Sequence, residues 1–511
     1  MLFWGLAIIS ACLYPLAFSP VGAWPLAFFC LSPLFCALFA AKTRLSAFLK
    51  GALFGALFSA FMGYWLYGSL VDQYEKSPLT AALFLAFCLI LPHFLLYGAF
   101  GILFHLLKRK ALFFFAVTAP SLWVITEFSK EWIFGFVPWG HLGYASLGFL
   151  PYAQVADIAG VFGAGFLLAG ANGVIAFGAL GVPGTATGQG DSPPGTRRTA
   201  LLLLFFIFAP VFYGLVQLAR WTPAYKDAIR RDGFAVTLVQ GNHTAKERWS
   251  GMGFYGRVKA YLSLSGVLNE KRPDSAPFRM IVWPETVLNS PQEITDGLFS
   301  ELVGQAGPNT LLVTGGLRML PLGAINCAYF ISGTGRVTAY DKKILLPYAE
   351  TAPAGDILGD YYEAPHKFIK GKGRAATDTD FGLMGASICL EALYPAHVAR
   401  AVRQGAKILV NLSNDTWFGD SAMPHLHLDA NRMRAIENRR FLLRAGNSGF
   451  CAIISPTGKI EAKSGLFRQE TITGRAAFLS GRTLFTLLGN WIVGLCLLIV
   501  GVSKWISTEK D

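Results

Sequence analysis

The run Gly382-Leu383-Met384-Gly385-Ala386-Ser387-Ile388-Cys389-Leu390-Glu391 decides the fold of the polar part of this chain. Residues 382–388 read as a buried strand, the strand closes on a thiol, and a helical pattern opens near Leu393. The same alternation surrounds it. Residues 234–240, 279–283, 311–314 and 407–412 read as strands, and 253–269, 393–404 and 425–446 as helices. Residues 327–332 and 336–340 read as an antiparallel pair joined by Gly333-Thr334-Gly335. Strands alternating with helices predict a layered α/β domain, here with a mixed sheet.

Sites in open α/β sheets collect beyond the carboxyl ends of strands. Glu285 follows an apolar run in Trp283-Pro284-Glu285-Thr286, Lys342 closes Tyr340-Asp341-Lys342, and Cys389 ends the opening run. From 285 to 342 and from 342 to 389 the separations are 57 and 47 residues, so only a shared sheet edge can unite them. Singly, each has a bland reading: a packed cysteine, a helix-start carboxylate, a solvated lysine. Together they offer what a sulfur nucleophile needs. A thiol that titrates at about 8.5 is mostly protonated at neutral pH. A carboxylate can take its proton and a fixed ammonium can hold an oxyanion. The reading assigns Glu285 as general base, Lys342 as electrostatic stabiliser and Cys389 as nucleophile, with the Leu390 N–H completing an oxyanion hole.

The rest of the 511 residues reads differently. The chain is 53% hydrophobic and only 15% charged, against a usual charged share of about 25%. The charge deficit lies in 1–220 and 482–502, where apolar stretches predict eight membrane-spanning helices at 2–19, 23–42, 48–70, 80–107, 111–126, 160–182, 200–219 and 483–503. The first lacks a basic leader and is followed at once by others, so it reads as a retained helix and not a signal peptide. One set of short loops carries ten Lys and Arg (Lys42, Arg44, Lys50, Lys108, Arg109, Lys110, Arg197, Arg198, Lys504, Lys510), the opposite set only Lys76 and Lys130. Both termini are therefore expected in the cytoplasm and the polar domain outside. The expected division is 1–220 with seven helices, 221–481 as the polar domain, and 482–511 as the eighth helix and tail.

The net charge of +13 fits this topology and attraction to anionic headgroups; no basic, aromatic-interleaved stripe points to nucleic acid. The eight cysteines form no CxxC pair and no metal-binding spacing. Val182 to Thr199 reads as a Gly/Pro/Ser/Thr linker. Residues 127–159, with Trp132, Phe134, Phe136, Trp139 and Tyr144, read either as an interfacial aromatic belt or as a lipid-contacting loop.

The three motifs resemble those of the nitrilase, or carbon–nitrogen hydrolase, superfamily, whose Glu–Lys–Cys triad lies on an αββα sandwich. The whole chain resembles the apolipoprotein N-acyltransferase family. Asn411-Leu412-Ser413-Asn414-Asp415-Thr416-Trp417-Phe418-Gly419-Asp420 carries that likeness most specifically, followed by Pro424-His425 and Arg432-Met433-Arg434-Ala435. Val239-Gln240-Gly241-Asn242, Phe18-Ser19-Pro20 and Pro138-Trp139 through Gly143-Tyr144 also fit. Leu390 stands where the family usually has an aromatic residue, and the loop from Lys342 to Glu350 lacks the family's usual His and Gly. The resemblance implies acyl transfer from a phosphatidylethanolamine-like phospholipid, through a thioester on Cys389, to the amine of a diacylglyceryl-cysteine at the start of an apolipoprotein. It implies supporting carboxylates at Glu350 and Glu391, and substrate contacts or pocket walls at Trp249, Asn414, Trp417 and Phe418. It also implies no metal, no cofactor, a monomer, and a multi-pass protein of the bacterial inner membrane with a periplasmic catalytic domain. Two other readings stand beside it: a membrane-tethered amidase cutting a small-molecule C–N bond, and a non-enzymatic transporter or lipid receptor.

Overall fold

The computed structural model describes residues 2–132, 138–181, 194–244, 253–266, 275, 277–289, 297–298, 307–351 and 368–508. Phe134, Phe136, Trp249, the linker residues 182–193 and the expected helix end at 267–269 lie outside them. The chain forms two compact units, Met1–Leu218 with Asn490–Asp511, and Ala219–Gly489.

Among the described residues four helices are long and apolar enough to cross a membrane: Arg44–Gly63, Pro78–Leu107, Ala156–Ala179 and Thr196–Asp232. Four shorter apolar helices join them, Phe3–Leu16, Trp24–Phe39, Phe114–Ser129 and Trp491–Ile506. Several boundaries differ from expectation, among them the helix expected at 200–219, which runs to Asp232. The linker was expected to run to Thr199, but the helix begins at Pro194, a residue that a first helical turn accepts because it needs no N–H there. The apolar stretch 483–503 is broken: Leu484–Leu488 stops at Gly489, which takes a positive φ of 62° that suits glycine, and a new helix runs Trp491–Thr508.

The helical unit packs by close backbone approach. A Cβ on Gly51 would lie 2.1 Å from the Tyr97 carbonyl oxygen, and one on Gly55 2.4 Å from that of His93. This small-xxx-small stripe lets Arg44–Gly63 meet Leu91–Leu107 closely, the device apolar helices use where lipid offers no hydrophobic drive. The break before Ser32–Phe39 frees backbone donors, and buried Asn172 takes them. Its Oδ1 accepts from Leu31 N (2.6 Å) and Ser32 N (3.0 Å), while its Nδ2 donates to Ala27 O (2.8 Å).

The second unit holds two six-stranded sheets. The first has the order β12-β1-β2-β3-β4-β5, with β1 Phe234–Gln240, β2 Arg279–Val282, β3 Thr310–Leu320, β4 Gly323–Ser332, β5 Val337–Asp341 and β12 Glu470–Ala476. The second has the order β11-β10-β9-β8-β7-β6, with β6 Ala376–Thr379, β7 Gly382–Ile388, β8 Leu409–Ser413, β9 Leu442–Gly446, β10 Ala452–Ile454 and β11 Ile460–Lys463. Each sheet has a parallel centre, β1-β2-β3 or β7-β8-β9, flanked by antiparallel strands. Helix Gly253–Leu264 covers the first sheet through Phe254, Val258 and Tyr261 on Ile281, Trp283 and Leu312. Helices Pro395–Arg403 and Ala422–Asn438 cover the second through Val398, Val402, Leu428 and Ala435 on Leu409, Leu442 and Ile454.

One element corrects the sequence reading. The helix expected over 425–446 ends at Asn438, because Arg439 turns left-handed (φ 50°), and 442–446 is β9. Its Leu-Leu-Arg-Ala-Gly composition has no strand signature; parallel pairing along β8 imposes the strand.

Candidate active site

The strand ends converge where the chemistry is. Glu285 follows β2, in a turn whose next residue, Thr286, is left-handed (φ 52°). That turn rests on Gly315 of β3, whose N–H donates to Pro284 O (2.9 Å) and where a Cβ would stand 2.5 Å from Glu285 Cα. Lys342 follows β5, and its N–H donates to Asn326 O (2.9 Å). The lysine Nζ then lies 3.3 Å from Glu285 Oε1 and 2.8 Å from Glu350 Oε1. Asn326 Nδ2 bridges the same two oxygens at 2.8 and 3.3 Å, and Asn414 N donates to Glu285 Oε2 at 3.0 Å. Glu350 Oε2 is fixed in turn by Leu346 N (2.8 Å).

Cys389 leaves β7 with a φ of 52° and opens the 3-10 turn Cys389–Leu393. A β-to-left-handed switch at a non-glycine residue costs roughly 1–3 kcal/mol, so the surrounding structure must hold it. Its thiol is 5% exposed, Glu285 7% and Lys342 2%. Burial pushes the thiol well above the ordinary cysteine range, Glu285 adds to this, and Lys342 opposes it. Both charges therefore act on the sulfur. Burial alone would lower the lysine, but Glu350 and then Glu285 hold its ammonium well above the usual lysine range. The result is a thiol pushed toward its protonated form and a lysine held toward its ammonium form, with Glu285 and Glu350 against that lysine.

Glu391, fully buried, ties the lysine loop to the cysteine turn. Its Oε1 accepts from Lys343 N (2.6 Å) and Ile344 N (3.0 Å), its Oε2 from Ile388 N (2.8 Å), and the Tyr340 hydroxyl reaches it at 2.9 Å. One carboxylate thus sets the spacing between two chain segments about fifty residues apart.

The sequence that carries these groups matches known proteins. Residues 10–174 match the family model "Apolipoprotein N-acyltransferase N-terminal domain" and 235–478 match "Carbon-nitrogen hydrolase". The apolipoprotein N-acyltransferase of Geobacter metallireducens is 29% identical over 504 residues, covering 96% of this chain and 92% of its own. That of Methylococcus capsulatus is 31% identical over 522 residues, covering 97% of this chain and 95% of its own. The chain belongs to the apolipoprotein N-acyltransferase family. It is a membrane protein of that family, with a nitrilase-like fold of two sheets as its polar unit. Among solved structures, Saccharomyces cerevisiae Nit3 of the nitrilase superfamily aligns with a TM-score of 0.38 at 17% identity, over 48% of this chain and 90% of its own.

In this acyltransferase-family chain the other expected residues sit as follows. Leu390 is buried beside Cys389 in the 3-10 turn. Asn414 turns its side chain to Thr416 Oγ1 (2.7 Å) and Asn447 Nδ2 (3.2 Å), so its backbone N–H is the group that reaches Glu285. Phe418 is buried and Trp417 half-buried; Trp249 lies outside the described residues. All eight cysteines are free, so Cys327 and Cys451 do not pair. Two contributors went unnoticed in the sequence. Tyr340 had a signal, since strand alternation puts it on the same face as Lys342. Asn326 had none, because only the β4–β5 pairing brings it under the lysine.

Proposed function

We propose that this chain acylates the N-terminal amine of apolipoproteins by a two-step transfer through Cys389. Glu285 takes the thiol proton as sulfur attacks the ester carbonyl of a phospholipid. The tetrahedral oxyanion faces Lys342 and the Leu390 N–H, and collapses to a thioester as the proton passes to the departing lysophospholipid alkoxide. The α-amine of a diacylglyceryl-cysteine then attacks the thioester. An amide forms, the C–S bond breaks, and Glu285 carries the amine's proton back to the sulfur.

The observation that carries this reading is the buried Cys389 in a left-handed turn beside the Glu285–Lys342 pair, in a chain that matches an apolipoprotein N-acyltransferase over 97% of its length. A thiol held protonated needs a base in place as the bond forms, and burial keeps water from the thioester. Glu350 keeps the lysine charged and oriented, and Glu391 positions both loops. The eight apolar helices are read as eight crossings of a bacterial inner membrane, with both termini cytoplasmic and the catalytic unit periplasmic, where acyl donor and apolipoprotein meet. The chain works as a monomer, on a phosphatidylethanolamine-like donor.

The test is mass spectrometry of protein purified with phospholipid. A fatty-acyl mass on Cys389, removed by hydroxylamine and by addition of a diacylglyceryl-cysteine peptide, is expected. An unmodified Cys389 under several donor lipids, with activity intact in Cys389→Ala, would overturn the reading.

A further inference from the structure

Behind the nucleophile lies a fully buried polar ring that the transfer scheme does not use. The Cys389 carbonyl oxygen lies 2.9 Å from His427 Nε2 and accepts from Asn411 Nδ2 at 3.2 Å. Both donors are themselves held. Asn411 Oδ1 accepts from Arg444 Nη1. His427 Nδ1 lies 3.1 Å from Asp415 Oδ1 and 3.2 Å from Arg444 Nη2. Arg444 Nη2 donates to Asp415 Oδ2 at 2.5 Å, closing the ring, and Ser413 Oγ donates to Asp415 Oδ1 at 2.7 Å. The ring's four side chains come from β8, the turn after it, helix Ala422–Asn438 and β9, and none has measurable exposure. Space is reserved for it: a Cβ on Gly449 would stand 2.2 Å from Asp415 Oδ2.

Such a buried assembly is costly to desolvate unless its members are paired, and among the described residues its side-chain groups are, except Arg444 Nε. Its donors converge on the carbonyl of a residue held in a left-handed conformation that the backbone resists. Returning Cys389 from φ 52° to the right-handed region would swing that carbonyl away from both donors. The histidine proton is fixed as well. Nε2 faces the Cys389 carbonyl oxygen, which can only accept, so Nε2 carries hydrogen whether Nδ1 accepts from Arg444 or, in the imidazolium, donates to Asp415.

We propose that His427, locked by the Arg444–Asp415 pair, is a positioning residue that clamps the Cys389 carbonyl and so keeps the thiol and the Leu390 N–H aimed at the substrate. It rests on Cys389 being the nucleophile. The experiment compares His427→Leu, His427→Gln and Cys389→Ser in full-length protein with phospholipid and a diacylglyceryl-cysteine peptide. Glutamine places an amide N–H where Nε2 stood; leucine does not. His427→Leu is expected to lose roughly 10- to 100-fold in kcat, the scale of a small misplacement of reacting groups, with KM for phospholipid changed less than about twofold. His427→Gln is expected to recover most of that loss at the same melting temperature. Equal losses in both variants that follow a fall in melting temperature, or no loss in either, would overturn the clamp. Full transfer by Cys389→Ser would instead sink the nucleophile assignment, whatever the histidine variants do.

Discussion

The helical unit and the α/β unit each bury a glutamate and a lysine, and the two pairs do opposite things. Glu127 and Lys130 lie three residues apart and serve the backbone of their own unit. Glu127 Oε1 accepts from Leu142 N (2.7 Å) and the Tyr14 hydroxyl (3.0 Å), and Lys130 Nζ donates to Trp139 O (3.2 Å). Glu285 and Lys342 are 57 residues apart, and around them stand a second carboxylate, an amide and a thiol. In the helical unit the two side chains hold fixed backbone and hydroxyl partners, although Glu127 Oε2 has none among the described residues; in the α/β unit a second carboxylate and a thiol stand within reach of one cation. Burial of a charge therefore does not by itself mark function; charges grouped around a strained thiol are the stronger sign.

Substitutions in the two pairs should separate these meanings. Glu285→Gln keeps an acceptor and removes the proposed base, so acyl transfer should fall about 10²- to 10⁴-fold with the fold intact by circular dichroism. Lys342→Met leaves Glu285 and Glu350 facing each other without their cation. Besides lost transfer, a destabilisation of about 3–5 kcal/mol is expected in denaturant titrations of the detergent-solubilised protein. Glu391→Gln replaces acceptors of three backbone N–H groups by a weaker set and should lower transfer about 10- to 100-fold, read as kcat against KM. For the helical pair, Glu127→Gln should cost about 1–3 kcal/mol of stability while the rate per folded molecule stays within about twofold. A large rate loss there would erase the contrast.

The thiol offers a last, smaller test. Because burial and then Glu285 raise its pKa, the thiolate fraction at neutral pH lies below that of a free cysteine. Alkylation of Cys389 by iodoacetamide should be slower than that of a free thiol at neutral pH. It should keep rising with pH, without levelling off near the free-thiol value of about 8.5. A plateau below that value would mean a preformed thiolate and no need of the base.

Much of this protein is legible in its residues taken in order. Long apolar stretches announce the helices, because a membrane demands a run of side chains with no tertiary help. The strands β1 and β7 and the hairpin β4–β5 follow from local apolar patterning and turn residues, and each triad member stands just past a strand because sheets present chemistry there. The sequence misleads where partners decide. Residues 442–446 look helical and become β9 because β8 offers them a ladder. Asn326, Asp415, His427 and Arg444 carry no local sign of their positions, since each is placed by a neighbour distant along the chain. Composition and short-range pattern determine which segments are helix or strand and which side chains stand at their ends. Only the packing of two sheets decides that a carboxylate, a cation and a thiol from three separate strands share one desolvated site, because contacts between segments so far apart exist only once the chain has folded.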